Sequence, residues 1–240
     1  MTMKVNKRAL RLLPVTFLIE LLAPFITLLL IGISAVISGL AGKQTGVVTA
    51  ISSSLVLLSI WLVGMVFVYG IMSLSRYFRY SWYFHIVFFI IKSVALVLES
   101  IPLFIGDEMS AGTKNGYSIV SDVLSSARQL SGFLALFFAM SGFCAVLSKL
   151  GEQKLTGKCR KYSYFFLIIG ILFTLDDIAS LVVNSLFSGS DPSVNAENLP
   201  MLVIYVILNL LTLIISIPAF LTIRRSCRTI YGTLHRAQEV

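Results

Sequence analysis

Hydrophobic residues along this chain gather into six long runs, at roughly 14–40, 47–74, 82–105, 118–148, 162–187 and 199–223. Each is longer than the ~20 residues an α-helix needs to cross a ~30 Å hydrocarbon core. Glycine and polar clusters separate several of them, from Gly42 to Gly46, Gly106 to Gly116 and Ser188 to Asn198. Backbone groups in lipid find no water, so a spanning segment must satisfy them itself. The pattern therefore predicts an all-α fold, a polytopic transmembrane helical bundle of six spans. Residues 1–240 form a single integral membrane domain, with the lipid bilayer as its first partner.

The first run needs separate treatment, because Lys4, Lys7, Arg8 and Arg11 precede it as in a secretory signal. It extends from about Leu12 to Ala41, well past the 7–15 residues of a signal core. It is read as a retained span. Orientation follows from the Lys and Arg residues, of which there are 19. Fifteen fall in the N-terminal segment, the second and fourth loops and the C-terminal tail, against two, Lys43 and Lys114, in the other loops. Positive charge marks the cytoplasmic side, so both termini are expected in the cytoplasm. Tyr77, Tyr80, Trp82, Tyr83, Tyr162 and Tyr164 cluster at that same level, where amphipathic rings prefer the headgroups.

Composition changes this picture little. Residues are 57% hydrophobic and 12% charged, half the charge of a soluble domain at about 25%. The net charge of +8 is explained by membrane orientation, and no nucleic acid is implied. Cys144, Cys159 and Cys227 fall near the cytoplasmic side, where thiols stay reduced. No disulfide and no metal site are expected, and juxtamembrane Cys159 and Cys227 are open to acylation. Short outer loops without an Asn-x-Ser/Thr acceptor fit a bacterial plasma (inner) membrane.

Ionisable residues inside the spans carry the chemical information. A charge near the bilayer centre costs at least ~2.5–3.5 kcal/mol on insertion scales. Lys92 is close to the middle of span three, and Glu99 follows seven residues later on nearly the same face. Asp176 and Asp177 lie in span five, and one of them is at a depth to meet Lys92. Arg128, in span four, is the expected partner of Glu99. Glu20 precedes Pro24 in span one, and Asn209 is near the centre of span six, where its amide is expected to bond across helices. Gly132, Ala135, Ala139 and Gly142 fall within roughly 40° of Arg128 on the helical wheel and form a helix-packing face. Span two has no charge between Lys43 and Arg76 and reads as the most lipid-exposed helix. His85 falls in the interfacial belt and reads as a polar-tipped anchor, with His235 in the tail.

Two intramembrane bases, Lys92 and Arg128, face four acids, Glu20, Glu99, Asp176 and Asp177. At least one carboxyl is left unneutralised, and a buried spare carboxyl is what a proton or cation site requires. No GxSxG, HExxH or GxxxxGK[ST] pattern occurs, so no enzyme and no cofactor is expected. Any ATP dependence would come from a separate ATPase or other membrane subunit. Adjacent Asp176 and Asp177 diverge by about 100° on a helix, poor geometry for a shared acid–base site. Two readings stay open. One is a small transporter or permease-type subunit, with a polar intramembrane site between spans three, four and five. The other is a non-catalytic scaffold, assembly or immunity-type partner that docks another chain on the small-residue face of span four.

Overall fold

In the computed structural model every described element is an α-helix. The structure describes residues 8–20, 22, 29, 33, 43–105, 111–187 and 199–236. Helix α1 covers 8–20, followed by α2 (Lys43–Tyr69), α3 (Arg76–Ile105), α4 (Ala111–Lys149), α5 (Gln153–Phe187) and α6 (Leu199–Arg236). Among the described residues, four stretches are long and apolar enough to cross a membrane: Arg76–Leu98, Ile119–Lys149, Gln153–Val182 and Val203–Arg236. In α2 the shorter apolar stretch Ser54–Tyr69 is described. Most of the expected first span, beyond Glu20, lies outside the described residues.

Helix ends depart from the ends of the apolar runs. Apolar runs were expected to begin near 118 and 162 and to stop near 223, yet α4 starts at Ala111, α5 at Gln153, and α6 continues to Arg236. Hydropathy marks where lipid lies, whereas capping decides where a helix stops. Helix α4 ends in a Schellman turn: Gly151 has φ +77°, its N–H bonds Ser148 O at 3.2 Å, and Glu152 N–H bonds Leu147 O at 3.0 Å. Nothing crowds a Cβ at Gly151, so its left-handed backbone alone selects glycine there. Ser75 caps α3, its Oγ accepting the Tyr77 N–H at 3.3 Å.

The helices turn apolar side chains outward as well as inward. Ile214 is 65% exposed, Val97 64% and Leu175 56%, while Ser81, His85, Lys92 and Ser216 are buried. A water-soluble bundle has the reverse distribution. Together with the length of the helices, this marks a helical membrane protein.

Helix α4 is the centre of the bundle, packed against α3 on one flank and α5 on the other, with α2 on α3 and α6 on α5. The main core sits at one end. It joins Leu10, Leu13 and Phe17 of α1 to Ile71, Phe78, Phe143, Leu147, Phe166, Ile223 and Ile230. The turns 70–75 and 150–152 lie at that end with the N- and C-terminal segments. Arg8, Arg11, Arg76, Arg79, Lys149, Lys154, Arg224 and Arg228 are thereby gathered there too. Tyr80, Tyr83 and Tyr164 of the aromatic group are exposed at this level. Cys159 and Cys227 are 0% and 3% exposed, packed inside the same core. That overturns their reading as acylation sites, because an acyl donor cannot reach them. All three cysteines are free thiols.

Span two was expected to be the most lipid-exposed, and this needs correcting. Helix α2 buries Ser54, Leu58, Trp61 and Val68 along one face, and that face seats α3. Among the four longer spans α5 is the least buried. Absence of charge makes a helix compatible with lipid without telling which side it turns to it.

Close approach between helices depends on glycine. A Cβ on Gly142 of α4 would lie 2.7 Å from the Phe78 ring of α3, and one on Gly170 of α5 would lie 2.6 Å from Phe133 Cβ of α4. Gly157 has open space around it. Gly142→Ala is therefore expected to destabilise the bundle by about 1–3 kcal/mol through overpacking, and Gly157→Ala to be neutral or stabilising by up to about 1 kcal/mol. Thermal unfolding of the two variants in detergent checks the contrast.

Candidate functional site

The buried face of α3 is a heptad stripe, in which Phe78, Ser81, His85, Phe88, Lys92 and Ala95 recur at spacings of three and four. Because α3 is antiparallel to α2, its residues meet Ser54 and Trp61 in reverse order. Lys92 is 3% exposed, and its Nζ donates to Ser54 Oγ at 2.8 Å. About two turns nearer the packed end is His85, fully buried. Between the two levels Trp61 of α2 stacks on Phe88 of α3, centroids 3.9 Å apart and planes at 20°.

His85 meets Glu20. Their side chains are 0% and 1% exposed, and His85 Nε2 approaches Glu20 Oε1 at 3.4 Å, too long for a strong hydrogen bond. The other imidazole nitrogen is committed, since His85 Nδ1 lies 2.8 Å from the Ser81 carbonyl oxygen. A carbonyl only accepts, so Nδ1 carries a hydrogen. Ser81 is itself held, its Oγ donating to Ala135 O of α4 at 2.8 Å. Neither Glu20 oxygen nor His85 Nε2 has a hydrogen-bond partner among the described residues.

Helix α2 accommodates the carboxyl by having no side chain beneath it. A Cβ on Gly64 would overlap Glu20 Oε1 and come within 2.7 Å of Cδ. Trp61, its ring centroid 5.1 Å from that of His85, closes the wall on the inner side. The pair thus sits in an apolar enclosure, where an isolated charge costs far more than in water. What such an arrangement can do is share or exchange a proton.

The other sequence-derived candidates are distributed differently from the expected site between spans three, four and five. Arg128 is half-buried, and its guanidinium donates to Ser125 Oγ of its own helix at 3.1 Å. Asn209, expected to bond across helices, donates Nδ2–H to Tyr205 O one turn earlier at 2.8 Å. A helical carbonyl keeps a free lone pair, so this N–H is satisfied within α6. Asp176 and Asp177 are half-buried on α5. The side chain of Glu99 is outside the described residues, so its pairing with Arg128 is as well. Lys92 is turned toward α2.

Gly132, Ala135, Ala139 and Gly142 are all buried. A Cβ on Gly132 would lie 3.2 Å from Trp61 and 3.4 Å from Phe88. Rings of α2 and α3 fill this face, which leaves no space there for another chain. That corrects the docking surface drawn from the wheel, which shows a face and not its occupant.

His85 was missed as a site residue, because its nearness to Arg79 suggested an interfacial anchor. The signal was present: His85 precedes Lys92 by seven residues, so a register that buries one buries both. His85 also revises the charge balance. It is a third intramembrane base, and it faces the acid for which the sequence offered no partner.

Searches against protein-family models, curated proteins and solved structures return no match. Among the described residues, no three His, Cys, Asp or Glu side chains converge as metal ligands.

The fit of Glu20 over Gly64 has a direct test. Gly64→Ala is expected to lose about 1–3 kcal/mol of stability. Adding Glu20→Ala should recover part of that loss, with a coupling energy of at least ~0.5 kcal/mol. Detergent unfolding of the two single variants and the double variant measures it, and strict additivity would contradict the contact.

Proposed function

We propose that this chain is a six-span protein of a bacterial plasma membrane, with both termini in the cytoplasm. In this reading it acts as a small transporter or permease-type subunit that handles a proton or cation. The observation that carries the reading is the buried face of α3. It holds ionisable groups at two depths, His85 with Glu20 and Lys92 with Ser54, separated by one aromatic stack. Charged groups deep in a membrane bundle are costly and rare, and they mark substrate or ion pathways. The polar site is accordingly assigned to the seam of α1, α2 and α3, with Arg128, Asp176 and Asp177 outside its first tier.

The scaffold reading rested on the small-residue face of α4 docking a partner. That face is occupied by Trp61, Phe88 and Phe78 of the same chain, which leaves the reading without its surface. Orientation is supported by the basic residues gathered at the packed end of the bundle, as the positive-inside rule requires of a cytoplasmic face.

Two outcomes are expected. A reporter protein active only in the cytoplasm should be active when fused after Val240, and one active only outside should be silent there. In proteoliposomes under an imposed potential, the parent should pass protons or small cations above the empty-vesicle rate. Glu20→Gln and Lys92→Ala should each lose at least about tenfold, whereas Asp176→Asn should retain most of the flux. Parent flux equal to empty vesicles would sink the transport reading.

A further inference from the structure

We propose that Glu20 and His85 together form one proton-binding site, which takes up and releases a single proton as a unit. The inference deepens the transport reading by naming the ligand at this seam, and it rests on that reading only for its biological use.

The geometry assigns each hydrogen. His85 Nδ1 faces the Ser81 carbonyl oxygen at 2.8 Å, so it bears hydrogen whether the ring is neutral or charged. The variable proton of the ring is therefore on Nε2, the atom that faces Glu20 Oε1 at 3.4 Å. With one proton between them the pair is neutral in sum, either as carboxylic acid beside imidazole or as carboxylate beside imidazolium. Removing that proton leaves a carboxylate that no described donor contacts. Uptake brings the site from one negative charge to none, and the proton comes to rest on Nε2 or on the carboxyl. No other bond is made or broken.

Few other charges bear on the site. Along the sequence, Glu20 is the sole charged residue between Arg11 and Lys43. Helix α2 presents Trp61 and Gly64 and has no charge from Gln44 to Tyr69. On α3 itself the nearest charged residues are Arg79 and Lys92, six and seven residues away. Helix α4 has none from Gln129 to Ser148.

Trp61 and the backbone of Gly64 give the site its second property. The indole lies against the imidazole, centroids 5.1 Å apart, and also stacks on Phe88. A change of charge on His85 is therefore delivered to the ring pair that separates it from Lys92, because imidazolium and imidazole interact differently with an aromatic face.

The test uses the full chain with His235→Asn, which leaves His85 as the one histidine of the two. Isotopically labelled histidine is followed by nitrogen NMR in lipid as pH is varied. The expected result is an Nδ1 protonated at every pH and an Nε2 that responds reversibly. That response should be displaced or lost in Glu20→Gln and unchanged in Asp176→Asn. An Nδ1 that loses its hydrogen overturns the proposal, as does an Nε2 insensitive to pH or a Glu20→Gln response identical to the parent. The parent measurement decides even if a variant misfolds. It needs no flux, so absent transport with a responsive pair would defeat the transport reading and leave the proton site standing.

Discussion

Close contact between α3 and α4 is the constraint on which the rest of the bundle depends. Lipid is as apolar as the side chains it surrounds, so helices in a membrane cohere through packing and interhelical hydrogen bonds. Gly132, Ala135, Ala139 and Gly142 remove bulk from one face of α4 and let Phe78, Phe88 and Trp61 lie directly on its backbone. With the helices that near, Ser81 Oγ reaches the Ala135 carbonyl. The carbonyl of Ser81 then fixes the imidazole of His85. The geometry of the ionisable pair is in this sense inherited from four small residues on a different helix.

Polar groups in this protein are satisfied in two distinct ways. On α6, Thr212, Ser216, Thr222 and Ser226 donate to carbonyls one turn back, as Asn209 does. These bonds let a polar side chain sit in an apolar setting without help from a neighbour. Among α2, α3, α4 and α5 such local bonds occur as well, at Ser59, Ser93, Ser131 and Thr174, and interhelical bonds join them: Lys92 to Ser54, Ser81 to Ala135 O, and Ser141 with Ser163 at 2.8 Å. Glu20 belongs to neither group, and His85 joins the first only through Nδ1, which bonds the Ser81 carbonyl one turn back. They are enclosed as tightly as any core residue and yet left with unused hydrogen-bonding capacity. In a low-dielectric interior such capacity is costly, and it persists because Gly64 and Trp61 shape a pocket around it.

Much of the fold could be read from the chain itself, since lipid imposes one solution on a long apolar run. The helical class followed from hydropathy alone, as did the existence of the described helices α2 to α6. Lengths did not, because α5 and α6 continue through basic segments where water and headgroups, not hydrocarbon, solvate the side chains. Asn209 shows a second limit: depth was inferred, but the choice between a neighbouring helix and its own backbone depends on how near that neighbour comes.

The residues that must leave lipid were legible too. Lys92, Glu20 and the small-residue face of α4 all stand out against apolar sequence, and the energetic cost of exposure applies to each wherever it lies. Which of them meet was not legible. Pairing depends on which helices are neighbours, and α4 stands between α3 and α5. Lys92 consequently turns to Ser54 on α2, while Glu20 finds a histidine 65 positions away. Sequence alone determined that this chain is an apolar helical protein with costly groups inside it. The tertiary structure decided their partners, because contact between helices is a matter of packing order and of the glycines that permit it.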